Sequence, residues 1–552
     1  MQAPQKRTKC SDVAAANGGA STLVGVTPAE GRQQGLALLD YINNSWTPYH
    51  AVDQTSKRLL AAGFQQISER DQWKIKAGGR YFFTRSLTTI VAFAVGAKFA
   101  PGNGFFMVGA HTDSPCLKLK PVSKSTRSGC LMVNVETYGG GLWTTWFDRD
   151  LGLAGRVLVR GPGGALQPRL VQISRPILRI PMLAIHLQRD IAKGFAPNPQ
   201  TNLAPLLATA VKAQLSYPSA AAATASPSAD SAASDSAQPT EPTSAPPADP
   251  STSDPSSSSS PAAAAADSGR HHPALVSLLA AELGVEAADI VDFELHVCDV
   301  QPGVLGGLAE EFVFAGRLDN LAMSYCCLQA LLDTCPDEAS LAEETGVRSI
   351  ALFDHEEVGS SSAQGAGGPV MRDAITRVAS SLSEGQEGAV ERSLRNSFLV
   401  SADMAHALHP NYSDKHDPDH QPKFHGGLVL KHNGNQRYAT NATSATLFRE
   451  IGRIAGVPCQ EFSVRNDSPC GSTIGPILAS ALGCRTVDVG IPQLSMHSIR
   501  EMCGVDDVSL ALRHFSAFFR EFSALDATVD LDTLAPAPKL YRIDEAPCNH
   551  MH

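Results

Sequence analysis

Four short apolar runs in this chain lead into acidic and histidine residues, and no other feature narrows its fold as much. Gly104-Phe-Phe-Met-Val-Gly-Ala110 runs directly into His111-Thr-Asp113. The runs at 349–353, 397–402 and 485–489 lead to Asp354-His-Glu-Glu357, Ser401-Ala-Asp403 and, several residues on, Met496-His497. Runs of this length, apolar throughout, read as parallel strands buried on both faces. Leu321, Tyr325, Leu328 and Leu332 recur at helical spacing, and Val508, Leu512, Phe515, Phe519 and Phe522 close the chain with an amphipathic helix. Strands alternating with helices predict an α/β domain. In open α/β sheets ligands collect beyond the carboxyl ends of the strands. His111, Glu357 and Asp403 fall there, with His497 on a loop, and Arg317-Leu-Asp319-Asn320 opens a helical pattern beside them.

The alternation is interrupted. Gln34 to Ala62 carries helix-period apolar residues and Tyr81 to Val95 reads as strands. From about Lys118 to Ile180 short alternating segments sit between Gly and Pro clusters, the pattern of a small β-rich module. Residues 218–270 contain no Leu, Ile, Val, Phe, Met, Trp or Tyr. Such a stretch cannot bury enough apolar surface to offset its ordering entropy and reads as a disordered surface insertion. The expected division is a disordered tail over 1–30, a catalytic domain from 31–115 and 308–530, and a β-rich domain over 116–307 that contains the insertion 218–270.

Charge and composition exclude several classes. The formal net charge of -10 disfavours a nucleic-acid surface. No apolar run approaches the roughly 20 residues a membrane span needs. The 12 cysteines are scattered without a CxxC pair, which predicts buried reduced thiols. The first thirty residues lack the apolar core of a secretory signal. A cytoplasmic protein is expected, with an organelle address in the tail left open.

The motifs offer two histidines and three carboxylates as metal ligands, with one carboxylate to spare. Imidazole nitrogen and carboxylate oxygen suit zinc. A helix-opening Asp319 can turn one oxygen toward each of two metals, and Asp113 can accept the outer N–H of His111. Of the adjacent Glu356 and Glu357, one coordinating metal leaves the other to take a proton from water and return it to a leaving amine. Each piece alone has a plainer reading: a loop hydrogen bond for His-x-Asp, solvated surface for Glu-Glu, a helix cap for Ser401-Ala-Asp403. His355-Glu356 begins an HExxH zinc motif, but Gly359 ends it. No GxSxG elbow or P-loop is present. Asp467-Ser-Pro-Cys-Gly-Ser-Thr473 reads as a turn feeding a helix over 474–482 rather than a nucleophile loop. Lys431-His-Asn433 reads, on its own, as a turn. His409, His416, His420, His425 and His432 crowd one region without the spacing of a second metal site. Arg500-Glu501 reads as a structural ion pair.

His111-Thr-Asp-Ser-Pro115, Gly316-Arg-Leu-Asp-Asn320, Asp354-His-Glu-Glu-Val-Gly359, Ser401-Ala-Asp-Met-Ala-His406 and Met496-His-Ser-Ile-Arg-Glu501, in this order, closely resemble the aspartyl aminopeptidase family, the M18 metallopeptidases. Ile185-His-Leu-Gln-Arg189, His409-Pro-Asn-Tyr412, Gln436-Arg-Tyr-Ala439 and Arg465-Asn-Asp-Ser-Pro-Cys-Gly471 match as well, so the resemblance spans about residues 33–525 outside the insertion. It implies a phosphorylase/hydrolase-like α/β catalytic domain with an inserted β-rich dimerisation domain. It further implies two divalent ions per subunit, zinc in the first place, with manganese or cobalt as substitutes. His111, Asp319 and Asp403 would hold one, and Asp319, Glu357 and His497 the other. Glu356 would be the general base, with Asp113 orienting His111. His406, Lys431 and Tyr438, together with Glu356 and Asp403, would line the substrate pocket, and His186 would enter a neighbouring subunit's site. The implied substrates are peptides with N-terminal Asp or Glu, and the implied assembly is a dimer-based tetrahedral dodecamer, with no nucleic-acid or membrane partner. His355 stands where relatives often carry Asn, and is expected near the ligands but not among them. A metal-dependent deacylase of amino-acid conjugates and a non-catalytic assembly are the competing readings.

Overall fold

The computed structural model of the chain describes residues 25–212 and 269–529, apart from position 384. The expected tail and the 218–270 insertion lie, but for a few edge residues, outside the described residues.

Among the described residues nine strands form the largest sheet, in the order Gln65–Gln66, Arg80–Arg85, Thr89–Val95, Val347–Phe353, Phe105–His111, Phe398–Ala402, Arg485–Gly490, Leu428–His432, Cys459–Ser463. The Val347–Phe353, Phe105–His111, Phe398–Ala402 and Arg485–Gly490 strands are mutually parallel. Phe353 is in register with His111, and Ser401 with both Gly109 and Asp488. These strands therefore end along one edge of the sheet, and the acidic and histidine motifs follow there.

The strands are apolar throughout because both faces are covered. Phe106, Val108 and Ala110 pack into one core with the helices Leu318–Thr334, Ala442–Ala455 and Val505–Asp526. Phe105 and Met107 alternate to the other face, against Val370–Leu382 and Ile474–Leu482. The closing helix is anchored by Phe515, Phe518, Phe519 and Phe522, all fully buried. Each contributes roughly 1.5–3 kcal/mol of apolar burial.

The helical period read over Gln34–Ala62 resolves into two helices, Pro28–Asn44 and Pro48–Ala61. Pro48 has no N–H to continue the first helix and excludes the helical conformation at Thr47, which is extended (φ -142°, ψ 166°). The Trp46 indole closes the corner by donating to the Asn43 carbonyl at 2.9 Å.

A second, antiparallel sheet has the order Leu166–Leu178, Leu151–Arg160, Ile290–Asp299, Cys116–Arg127, Cys130–Tyr138, Leu206–Thr209. Helix Pro273–Leu283 packs into its core. A small third sheet, Val304–Gly306, Phe312–Ala315, Glu501–Gly504, Pro492–Leu494, Ala405–His406, joins the segments that follow the parallel strands. Every described cysteine is free, and seven of the ten are buried. Among the described residues no helix is long and apolar enough to cross a membrane.

Candidate active site

His111 is the last residue of its strand and is buried. Its Nε2 lies 3.4 Å from Asp319 Oδ1, 3.5 Å from Asp403 Oδ1 and 3.8 Å from Glu356 Oε2. His497 Nε2 lies 3.5 Å from Asp319 Oδ2 and 3.3 Å from Glu357 Oε2. Asp319 thus stands between two imidazoles with one oxygen toward each.

Local backbone explains why these side chains meet. Asp319 follows Arg317, whose φ of +62° turns the chain out of the strand Phe312–Ala315, and its N–H donates to Glu501 Oε2 at 3.1 Å. Asp403 follows its strand and donates its N–H to Val489 O at 2.9 Å. At Gly490 a Cβ would sit 1.8 Å from the Asp403 carbonyl, so only glycine lets the two strands diverge so closely. His355 (φ +64°) and Gly359 (φ +94°) bracket a short 3₁₀ turn carrying Glu356 and Glu357. The N–H groups of both glutamates donate to the Asp113 carboxylate, at 3.1 and 3.0 Å. His355 bonds Ser362 Oγ at 2.8 Å through Nδ1, and is absent from the residues that face the cluster.

The outer nitrogens of both histidines face acceptors. His111 Nδ1 lies 3.0 Å from the Asp113 carbonyl and 3.3 Å from its carboxylate, so backbone and side chain of Asp113 share the role expected of the side chain. His497 Nδ1 lies 3.1 Å from the Gly140 carbonyl. In the neutral imidazoles, acceptors on the outer side place the proton on Nδ1 and leave the Nε2 lone pairs pointing inward, free for a cation.

Burial alone would lower the pKa of His111. The carboxylates of Glu356, Asp113, Asp319 and Asp403 outweigh it and hold the imidazole well above its usual value. His497 behaves alike: burial opposes charging, Asp319 reverses this, and the pKa rises to about 9. Burial, then the crowding of Asp403, Asp113 and Asp319 against the relief from His111, raises Glu356 to about 8. Burial followed by Asp319 raises Glu357 well above the usual carboxylate range. Asp319 goes the other way: burial is overcome by the two histidines, and its carboxyl is held low. A buried, anionic centre that makes imidazoles more basic is one that attracts cations.

The residues fit divalent metal. His111 with Asp319 and Asp403, and Asp319 with Glu357 and His497, each bring ligand atoms within 4.8 Å of one another. His111 with Glu356 and Glu357 does the same. His111 Nε2, Asp319 Oδ1 and Glu357 Oε1 are buried without a hydrogen-bond partner, although buried polar atoms rarely go unpaired. Nitrogen and carboxylate donors in this mix are those zinc takes.

A cleft opens from the cluster, lined among others by Asp403, His406, Lys431, Tyr438, Phe462 and Thr473. Lys431 sits inside the strand Leu428–His432, not on a turn, and is buried with Nζ 3.3 Å from Asp403 Oδ2 and 5.4 Å from the Tyr438 ring centre. His406 is exposed to this cleft, with its ring edge-on to Phe462 at a centre-to-centre distance of 5.7 Å. The 467–473 segment delivers Gly471, Ser472 and Thr473 to the cleft wall, and Thr473 caps Ile474–Leu482. His186 is exposed on the 3₁₀ turn Ile185–Leu187 and does not line this cleft.

One further reading of the sequence changes. Arg500 and Glu501 do not pair with each other. Neighbours along an extended chain point to opposite sides. Arg500 donates to the carbonyls of Gln301, Pro302 and Phe314 and lies 3.5 Å from Asp299, while Glu501 faces the cluster and accepts the N–H groups of Asp319 and His497. Tyr138 was also not legible. It comes from the second sheet, and its hydroxyl donates to Asp113 Oδ2 at 2.7 Å. The crowded histidines take separate partners: His420 with Asp417, His425 with Asp506, His432 with Glu461, and His416 with the backbone of His409.

Residues 41–519 match the family model of the aminopeptidase I zinc metalloproteases (M18). The chain is 54% identical over 499 residues to a probable aspartyl aminopeptidase of Ricinus communis, covering 90% of this chain and 96% of that one. It is similar to the protein in the cryo-EM structure of the Ape4 and Nbr1 complex, with a TM-score of 0.81 and 42% identity over 92% of this chain and 89% of the other. The S. cerevisiae mApe1 dodecamer matches with a TM-score of 0.72 at 28% identity, over 90% of this chain and 99% of that chain. Family model, relatives and folds agree with the cluster of imidazoles and carboxylates at the sheet edge: the chain belongs to the M18 family of zinc metallo-aminopeptidases.

Proposed function

We propose that this protein is a two-metal aminopeptidase that releases N-terminal Asp or Glu from peptides. The observation that carries the reading is Asp319, with one oxygen toward His111 and the other toward His497. In this reading His111, Asp319 and Asp403 hold one divalent ion and Asp319, Glu357 and His497 the other. When bound, the ions polarise the scissile carbonyl and lower the pKa of water. Glu356 takes the proton from the attacking water and returns it to the departing amine. Its place supports that shuttle: it lines the cleft beside the cluster and belongs to neither ligand group built on Asp319. Asp113 keeps the His111 proton on Nδ1.

Acidic preference rests on Lys431. A buried ammonium at the cleft wall meets a substrate carboxylate in a partly desolvated setting, where charge-assisted bonds are strongest. His406 and Tyr438 complete that wall. The relatives named aspartyl aminopeptidases support the same substrate class. We further propose that residues 116–307 form a dimerisation domain and that the chain assembles as a homo-oligomer, in line with the dodecamer formed by mApe1. His186, exposed on its own subunit, would then reach a neighbour's cleft. The cytoplasm is the proposed location.

The test is hydrolysis of a panel of N-terminal amino-acid reporters, before and after chelation and with zinc, manganese or cobalt restored. Chelator-sensitive cleavage confined to free N-terminal Asp and Glu is the expected result. Cleavage of N-blocked conjugates would instead indicate a deacylase. No turnover by fully zinc-loaded protein would end the enzymatic reading.

A further inference from the structure

Both histidines that face the cluster are held from behind by one stretch of chain, residues 138–145, which leaves the second sheet at the end of Cys130–Tyr138. The Tyr138 hydroxyl donates to Asp113 Oδ2 at 2.7 Å. Asp113 is also the carboxylate that faces His111 Nδ1 and collects the N–H groups of Glu356 and Glu357. Two residues later the Gly140 carbonyl faces His497 Nδ1 at 3.1 Å. The Leu142 N–H then donates to the His497 carbonyl at 2.9 Å. Finally the Ile499 N–H donates to Thr145 Oγ1 at 3.0 Å, while the Thr145 hydroxyl donates back to the Leu142 carbonyl at 2.7 Å. The turn between Tyr138 and Gly140 is tight against the cluster: Gly139 has φ +74°, and a Cβ there would lie 3.1 Å from Glu357 Cβ.

The geometry points to a strap. We propose that residues 138–145 position the metal ligands, with Tyr138 and Thr145 as the positioning residues, so that ligand geometry depends on the inserted part of the chain and not on the large sheet alone. Tyr138 acts through Asp113, which fixes the ring and tautomer of His111 and the turn of the two glutamates. Thr145 acts through the 497–499 loop, which links two short strands of the third sheet and is also tied to Glu501 through the His497 N–H. Outer partners of this kind set ligand basicity and orientation, and their loss typically lowers metal affinity or activity about 10–100-fold. The inference rests on the reading of His111 and His497 as ligands.

The experiment measures zinc affinity by competition with a chelating dye, alongside kcat and KM on an N-terminal Asp reporter, for Tyr138→Phe, Thr145→Val, Thr145→Ser and His497→Ala. Tyr138→Phe and Thr145→Val are expected to bind zinc about 10–100-fold more weakly and to lose kcat in parallel while KM holds. Thr145→Ser, which keeps the hydroxyl, restores both. The Thr145 pair keeps the test decisive if Tyr138→Phe folds poorly, because Thr145→Val keeps the shape and removes the hydroxyl while Thr145→Ser keeps the hydroxyl and loses a methyl group. Wild-type zinc affinity and kcat in Tyr138→Phe and Thr145→Val, with one ion lost from His497→Ala, would overturn the strap and leave the ligand reading standing. Two ions retained by His497→Ala would overturn the ligand reading itself.

Discussion

Asp319, at the start of its helix, turns Oδ2 toward His497 Nε2 at 3.5 Å. Its second oxygen serves His111. In the proposed site, one carboxylate common to both ligand groups would make the two metal positions interdependent. Asp319→Asn is therefore expected to empty both, because the amide offers one oxygen and no charge. His497→Ala should empty only the position it shares with Glu357. Elemental analysis after dialysis checks this: Asp319→Asn should hold less than one ion per chain, and two ions would remove Asp319 from the bridging role.

Glu356 is the carboxylate most exposed to the cleft without being needed by either ligand group built on Asp319. Glu356→Gln keeps the shape and removes the proton shuttle. We expect full metal content and a loss of kcat on the order of 10²–10⁴, the range of general acid–base catalysis. The fall should appear in kcat with KM little changed. Near-normal turnover would mean another group takes the proton.

Lys431 makes a double demand, since it also lies 3.3 Å from Asp403. Replacing it disturbs a proposed ligand as well as the pocket, so absolute rates mislead and the ratio of rates for N-terminal Asp and Ala reporters is the readout. Lys431→Met should lower that ratio about 10–100-fold, the equivalent of a charged hydrogen bond worth roughly 1.5–3 kcal/mol. An unchanged ratio, even with both rates reduced, would show that acidic side chains are chosen elsewhere.

What was legible in the sequence follows from what its signals encode. The parallel strands were readable because burial on both faces makes them continuously apolar, and the site at their ends follows from the topology of open sheets. Lys431 read locally as a turn because strand residues 428–432 are short and flanked by glycine and asparagine. Arg500 and Glu501 read as a pair because opposite charges side by side suggest contact, whereas an extended backbone sends them to opposite sides. Tyr138 carried no signal at all. Its partner Asp113 lies on the loop after the strand Phe105–His111, and a contact between a strand end and a loop leaves no period in either segment. The break at Ser45–Thr47 was present in the sequence as Pro48, but the helical period on either side obscured it.

Acid should destabilise the fold through His514. The ring is buried, stacked 4.0 Å from Phe448 at an interplanar angle of 9°, with Nε2 3.0 Å from the Phe448 carbonyl. Burial lowers its pKa to about 4. The unfolded chain takes up a proton near pH 6.5, the folded one only near pH 4. Stability is therefore full above pH 6.5 and is lost as pH falls toward 4, by up to about 3 kcal/mol. His514→Gln keeps a donor for Phe448 and removes the titration. Urea unfolding of the metal-free proteins at pH 7 and pH 4.5 should show a smaller acid loss in the variant, and identical losses would exclude His514 as the sensor.

His186 can be tested without a structure of the assembly. The residue is exposed on a 3₁₀ turn flanked by Leu183, Ile185 and Leu187, each more than half exposed, a surface that water alone covers poorly. If that turn enters a neighbour's cleft, His186→Phe should lower kcat and leave metal content unchanged. The sharper prediction uses two defective chains. Glu356→Gln lacks the proposed base in its own site but still carries His186. His186→Phe keeps an intact base but lacks the histidine. Co-expressed with separable tags and purified as mixed oligomers, the two should recover activity. In each mixed dimer, the His186→Phe subunit's site has its own Glu356 and receives the partner's histidine. A histidine acting within its own chain gives no recovery, because then both sites of the mixed dimer stay defective. Mixed oligomers no more active than their parents would therefore confine His186 to its own subunit.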